Sequence, residues 1–372
     1  MTTELADAPS VRPISPISPI SPISPISPIS PISPISPIST IDYHTAGEPF
    51  RIIADPRVPI EGATVADRRA FAIGDGAVDG LRRLLCFEPR GHADMYGGFI
   101  TPPDDAGAHL GVLFWHKDGF STACGHGTIA LGAWAVETGL VVVDPSGVTE
   151  VVVDVPSGRV TARVSTDDAG AVTSVDFVNV PSRLVAEGLR VATSRGELTV
   201  DVAYGGANYA MLDVAQVGLS IEPGDVAEII ALGREVKWLL NDSDAAQHPT
   251  DPRLSGIYGT ILFERLGHDA DGRLHQRNAT VFADGELDRS PCGSGTAARV
   301  AALTAQGELA FGETLVHDSI VGSRFHARAV ERVEVDGGAA VVPVVTGMAY
   351  RTGTSTFTVD PRDTLVPGFV LR

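Results

Sequence analysis

The sequence predicts an α/β fold of two similar halves, each delivering one glycine-rich loop to a shared site. Three observations lead there. Strand-like runs such as Val141-Val142-Val143 and Val151-Val152-Val153 are punctuated throughout by glycine, which supplies 40 of 372 residues. Two segments repeat one pattern: Ser121-Thr122-Ala123-Cys124-Gly125-His126-Gly127-Thr128-Ile129-Ala130 and Asp288-Arg289-Ser290-Pro291-Cys292-Gly293-Ser294-Gly295-Thr296-Ala297. Both read Cys-Gly-x-Gly-Thr followed by an apolar, helix-compatible run, and half of the chain beyond Thr40 separates the two cysteines.

The elements follow in order. From Pro13 to Pro37 the chain repeats Ser-Pro-Ile. Proline at every third position removes backbone donors and favours polyproline II, so residues 1–39 read as a disordered tail rather than a docking ligand. The first half, 40–197, is expected to hold a helix from Ala66 to Leu85 and strands at Met95–Ile100 and Leu110–Trp115. Its Cys-Gly loop then leads into a helix from Thr128 to Glu137. The second half, 198–357, repeats that order: helix Pro223–Leu240, strands Gly256–Phe263 and Asn278–Phe282, then helix Thr296–Thr304.

Composition narrows the function. A net charge of −18 argues against nucleic acid or an anionic membrane surface as partner. No apolar run approaches the roughly 18 residues of a membrane helix, and the start lacks a secretory pattern, so a cytoplasmic location is expected. Cys86, Cys124 and Cys292 form no disulfide framework and no Cys-x-x-Cys pair. Cys86, within Leu84-Leu85-Cys86-Phe87, reads as core packing. Lysine occurs only at Lys117, in a polar turn that reads as a solvated loop, and at Lys237, in a helical stretch without a phosphate loop. Neither suits a Schiff base, so chemistry at an amino-acid α-carbon is expected to need no cofactor. His92, His116 and His126 are scattered without ligand spacing, and no metal site is expected.

Two Cys-Gly loops at two helix starts point to acid/base chemistry. A helix N-terminus offers unpaired N–H groups that attract a carboxylate, and its field is expected to lower a neighbouring thiol's pKa. Two such loops face to face would hold a small carboxylate between two sulfurs. One thiolate would take the α-proton while the opposite thiol supplies another, and the pair would titrate together.

The motifs resemble those of the proline racemase family, which includes proline racemases, 4-hydroxyproline epimerases and trans-3-hydroxyproline dehydratases. The resemblance extends to Asp42-Tyr43-His44-Thr45-Ala46-Gly47-Glu48-Pro49, to Glu88-Pro89-Arg90-Gly91-His92-Ala93-Asp94-Met95-Tyr96-Gly97, to Tyr204-Gly205-Gly206 and to Gly322-Ser323-Arg324-Phe325. It implies the diaminopimelate-epimerase-like fold, with a curved sheet around a central helix in each half, the active site between the halves, and the C-terminal segment 358–372 returning to the first half. It also implies a small imino-acid substrate; family members are often dimers, and the oligomeric state stays open between monomer and homodimer. By motif match, Cys124 and Cys292 carry the acid/base roles. Gly125, His126, Gly293 and Ser294 match the positions that hold the substrate carboxylate. Asp288 matches the residue that receives the ring nitrogen, and Phe282 falls at an aromatic pocket wall.

Family dehydratases commonly carry threonine where this chain has Cys292. Loss of a β-hydroxyl needs one base, whereas inversion needs a second proton donor. Cys292 therefore favours a racemase or epimerase acting on proline or hydroxyproline. The flanks, including Gly111–His116 and Thr296-Ala297-Ala298-Arg299, lean toward the dehydratase branch, so trans-3-hydroxy-L-proline dehydration with Cys124 as base stands as the alternative.

Overall fold

In the computed structural model, residues 37–371 are described, and the Ser-Pro-Ile repeat up to residue 36 lies outside them. Regular structure begins with β1 (Ile38–Thr45) and β2 (Glu48–Ile53), followed by α1 (Val65–Gly74) and α2 (Gly76–Cys86). Then come β3 (Gly97–Thr101), β4 (Leu110–His116), β5 (Gly119–Phe120), α3 (Gly125–Glu137), β6 (Val148–Val155), β7 (Gly158–Thr166) and β8 (Val172–Val178). The second set is β9 (Arg183–Thr193), β10 (Gly196–Tyr204), β11 (Asn208–Asp213), α4 (Val226–Leu240), β12 (Ile257–His268) and β13 (Leu274–Phe282). It closes with β14 (Glu286–Leu287), α5 (Gly293–Gln306), β15 (Leu315–Ser319), β16 (Arg324–Val335), β17 (Gly338–Gly347) and β18 (Ala349–Phe357).

The two sets match element by element. In the first, β2 runs parallel to β3, β3 antiparallel to β4, and β4 parallel to β6, with β7 and β8 following antiparallel. In the second, β11–β12, β12–β13, β13–β15, β15–β16 and β16–β17 repeat that sequence of directions. β8 pairs with β17, so one continuous run of strands curls first around α3 and then around α5. α3 is buried from Gly125 to Val136 and α5 from Gly293 to Leu303, as helices enclosed by their own sheet must be.

Strand pairing divides the chain differently from the linear boundaries expected above. β9, placed with the first half, pairs along its length with β10, and β18, placed with the second, pairs with β1. A strand's own residues say nothing about its partner, which for β18 comes from the other end of the chain. Near the C-terminus, Phe369 bridges Glu88, and Arg90 lies 3.5 Å from Asp363. The expected helix Ala66–Leu85 is two helices. Asp75 breaks it by accepting from the N–H groups of Ala77 and Val78 as the cap of α2. No helix among the described residues is long and apolar enough to cross a membrane.

Candidate active site

α3 and α5 aim their N-termini at one another across the junction of the halves. A Cβ built on Gly125 would lie 2.6 Å from Cα of Gly293, and the reverse contact is also 2.6 Å. Only glycine lets two helix starts come this close. Each helix is capped by a cysteine. Cys124 Sγ accepts the N–H of Gly127 at 3.2 Å. Cys292 has a left-handed backbone, φ +63°, and its N–H is held by Ser290 Oγ at 3.0 Å.

Between the caps lies a cavity of about 10 Å³, lined by Cys124, Cys292, His126, Ser294, Asp288 and Phe282. The fold thus gathers six of the expected site residues around one space, and Gly125 and Gly293 form the seam beside it. The space is barely that of one water, smaller than a five-membered ring.

The electrostatics of this closed site differ from the expectation for the thiols. Burial pushes both thiols well up, Cys124 despite the Gly127 N–H, and the nearby Asp288 carboxyl adds to the effect. Removing water from a sulfur anion outweighs one helix end. His126, fully enclosed with its ring nitrogens 3.5 and 3.6 Å from Cys124 Sγ, is lowered to about 3 and stays neutral. Asp288 accepts from Ser290 N–H and Oγ, each at 2.8 Å, yet burial raises it. Burial also raises Glu48 of β2, whose Oε2 accepts the Arg289 N–H at 2.7 Å, and the negative Asp288 beside it adds to the rise.

Three tyrosines also line the cavity and were not singled out from the sequence: Tyr96, Tyr209 and Tyr258. Tyr209 lies 2.7 Å from Ser294 Oγ and 3.8 Å from Cys292 Sγ. Tyr96 hydrogen-bonds Ser121, and its hydroxyl is 3.1 Å from that of Tyr258. A signal existed. Tyr96-Gly97 and Tyr258-Gly259 occupy equivalent places, since Gly97 pairs with Arg51 across β2–β3 and Gly259 with Tyr209 across β11–β12.

Other expectations need correction. Lys117 is not solvated: it is 7% exposed, with Nζ 2.7 Å from Asp118 and 3.7 Å from Glu286. Lys237 is also buried, donating to the Ala283 carbonyl, and desolvation lowers it to about 8. Although the histidines are scattered in sequence, β4, the turn after it and β14 bring ligand atoms of His116, Asp118 and Glu286 within 4.8 Å of one another. Cys86 needs no correction: it is fully buried, packed as expected in a cluster with Leu81, Leu85, Met95 and Phe99.

The proline racemase family model matches residues 40–370. The chain belongs to the proline racemase family. Among relatives, it is 45% identical to a 3-hydroxyproline 2-epimerase of Burkholderia multivorans, over 90% of this chain and 98% of that protein. It is 42% identical to a trans-3-hydroxy-L-proline dehydratase of Bacillus cereus, over 89% and 97%. The hydroxyproline epimerase of Agrobacterium vitis, solved with trans-4-hydroxy-L-proline, superposes with a TM-score of 0.82 at 32% identity, covering 90% of this chain and 96% of that one. A PhzF-family phenazine biosynthesis protein of Bacillus anthracis shares the fold at TM-score 0.57 and 10% identity. This family member is therefore an enzyme with the epimerase-like two-half architecture expected from its motifs.

Proposed function

We propose that this proline racemase family member inverts C2 of 3-hydroxyproline, with Cys124 and Cys292 as opposed acid and base. The observation that carries the reading is the pair of cysteine caps on two helix starts that meet at Gly125 and Gly293. The substrate carboxylate would sit on the N–H groups of both helix starts, with its ring nitrogen at Asp288. One sulfur then faces each side of C2. A thiolate on one side takes the α-proton, the carboxylate takes up the developing charge against fixed N–H donors, and the opposite thiol returns a proton.

The choice of 3-hydroxyproline is supported by the relatives, whose named substrates carry the hydroxyl at C3 whether the reaction is epimerisation or dehydration. Those relatives also favour the second reading, loss of water from trans-3-hydroxy-L-proline. Incubation with each 3-hydroxyproline stereoisomer separates the two. The C2 epimer on a chiral column supports inversion, whereas a carbonyl-reactive pyrroline carboxylate without epimer would replace it by dehydration.

A further inference from the structure

In the proposed function Asp288 receives the ring nitrogen, yet its own half fixes it only in part. Leu287, Asp288 and Arg289 present three consecutive backbone N–H groups. The middle one donates to the Thr280 carbonyl of β13 at 2.9 Å, within the second half. The outer two reach into the first half. Leu287 N–H donates to Asp94 Oδ1 at 3.2 Å, and Arg289 N–H donates to Glu48 Oε2 at 2.7 Å. The Arg289 guanidinium closes the arrangement, donating to Asp94 Oδ2 at 2.8 Å and to the Leu287 carbonyl at 2.6 Å.

Both first-half acids are buried. The turn that brings in Glu48 is itself seated on the second half. Ser323 Oγ donates to the Ala46 carbonyl at 2.6 Å, and a Cβ on Gly47 would lie 3.5 Å from the Cβ of Arg289. Glu48, Asp94 and Ser323 belong to three segments singled out in the sequence, 42–49, 88–97 and 322–325. Three distant segments thus meet around the backbone of one residue. Burial pushes Glu48 well above the usual carboxylate range, and the negative Asp288 beside it adds to the rise despite the Arg289 N–H. Two neighbouring buried carboxyls do not both ionise, so Glu48 accepts the Arg289 N–H as a neutral group. The charge is left to Asp288, whose ionised form is favoured by the two hydrogen bonds from Ser290.

We propose that Glu48 and Asp94 are positioning residues that grip the backbone on both sides of Asp288 across the halves and set where its carboxylate meets the substrate nitrogen. This rests on the ring-nitrogen role given to Asp288 above and deepens it by naming what holds that carboxylate in place. Neither acid is among the residues lining the cavity, so each acts through Asp288. Glu48 serves as an acceptor oxygen, which glutamine can supply and alanine cannot.

The test compares two ligands by calorimetry: 3-hydroxyproline and 3-hydroxytetrahydrofuran-2-carboxylate, in which oxygen replaces the ring nitrogen. The proteins are wild type, Glu48→Ala, Glu48→Gln, Asp94→Ala and Asp288→Asn, with C2 epimer formation followed in the wild type. The expected preference for the nitrogen ligand falls by about 10-fold or more in both alanine variants and stays within about 3-fold of wild type in Glu48→Gln. Equal losses for both ligands would make the two acids merely structural and overturn the inference. An unchanged preference in the alanine variants, or a Glu48→Gln as impaired as Glu48→Ala, would also overturn it. Asp288→Asn shows which claim has failed. If it abolishes a preference that the alanine variants keep, Asp288 reads the nitrogen and the grip is refuted. If it keeps the preference, the role of Asp288 itself falls, and the inference with it. A wild type that forms no epimer, with the preference lost in the alanine variants, would refute the inversion chemistry while supporting the grip on Asp288.

Discussion

Gly125 and Gly293 start two helices from different halves, and a Cβ on either would sit 2.6 Å from the Cα of the other. The backbone contact holds the two cysteine caps at a set distance. Gly125→Ala or Gly293→Ala must wedge the halves apart by more than a few tenths of an ångström. Displacements of about 1 Å at a reacting centre cost on the order of 100-fold. Each variant is therefore expected to lose at least that factor in kcat/KM while its circular dichroism remains that of the wild type. Near-normal turnover would mean the seam does not set the catalytic geometry.

The left-handed backbone at Cys292 makes its replacements unequal. At φ +63° a non-glycine residue is strained by roughly 1–3 kcal/mol, and a β-branched side chain fares worst. Cys292→Thr is expected to melt below Cys292→Ser, and Cys292→Gly is expected to recover part of the difference. Thermal denaturation of the three variants checks this order. It also identifies serine, rather than threonine, as the substitution that removes the thiol with least disturbance of the loop.

Acid stability carries the mark of a buried neutral histidine. His317, on β15 with Nδ1 2.9 Å from Thr296 Oγ1, is lowered to about 3 by burial. Below its ordinary value near 6.5 the unfolded chain takes up a proton that the folded chain refuses until about pH 3. Stability is thus present above pH 6.5 and falls as pH drops through that window, by about 1.4 kcal/mol per pH unit for one proton. Buried Glu48 and Glu286, raised by desolvation, act in the opposite direction. The difference between wild type and His317→Asn isolates the histidine: denaturant melts between pH 6.5 and 4 should show a shallower acid loss in the variant. Parallel curves would contradict the assignment.

Cys124 should be indispensable to inversion and dehydration alike, because both begin with removal of the α-proton. Cys124→Ser is expected to lose at least about 1000-fold in α-proton exchange, within the range general-base removal costs. Retained exchange would move the base elsewhere.

The parts of this enzyme that were legible in the sequence are those written locally. A Cys-Gly-x-Gly-Thr loop followed by an apolar run states a helix start on its own, and its repetition told of two halves. Asp288, four residues before Cys292, and Phe282, ten before it, came from the resemblance to the family's motif. What escaped depends on pairing between distant strands. Tyr96 and Tyr258 become neighbours only because β3 and β12 hold equivalent places in the two halves. β18 completes the first half from the far end of the chain, and no periodicity within Ala349–Phe357 says so. Lys117 looked solvated because its neighbours His116 and Asp118 are polar, yet the fold closes over it beside Glu286. The thiols were expected to be acidified by their helix ends. Desolvation, which depends on how tightly the halves shut, reverses that sign.

The central claim is that two thiols on opposite faces of one α-carbon divide the proton transfers between them. The most direct measurement is deuterium incorporation and epimer formation from a single 3-hydroxyproline stereoisomer in D₂O, for wild type and Cys292→Ser. The wild type should yield the C2 epimer carrying deuterium. In Cys292→Ser, epimer formation should fall by at least 100-fold. Inversion at a near-normal rate in Cys292→Ser would contradict the two-thiol account.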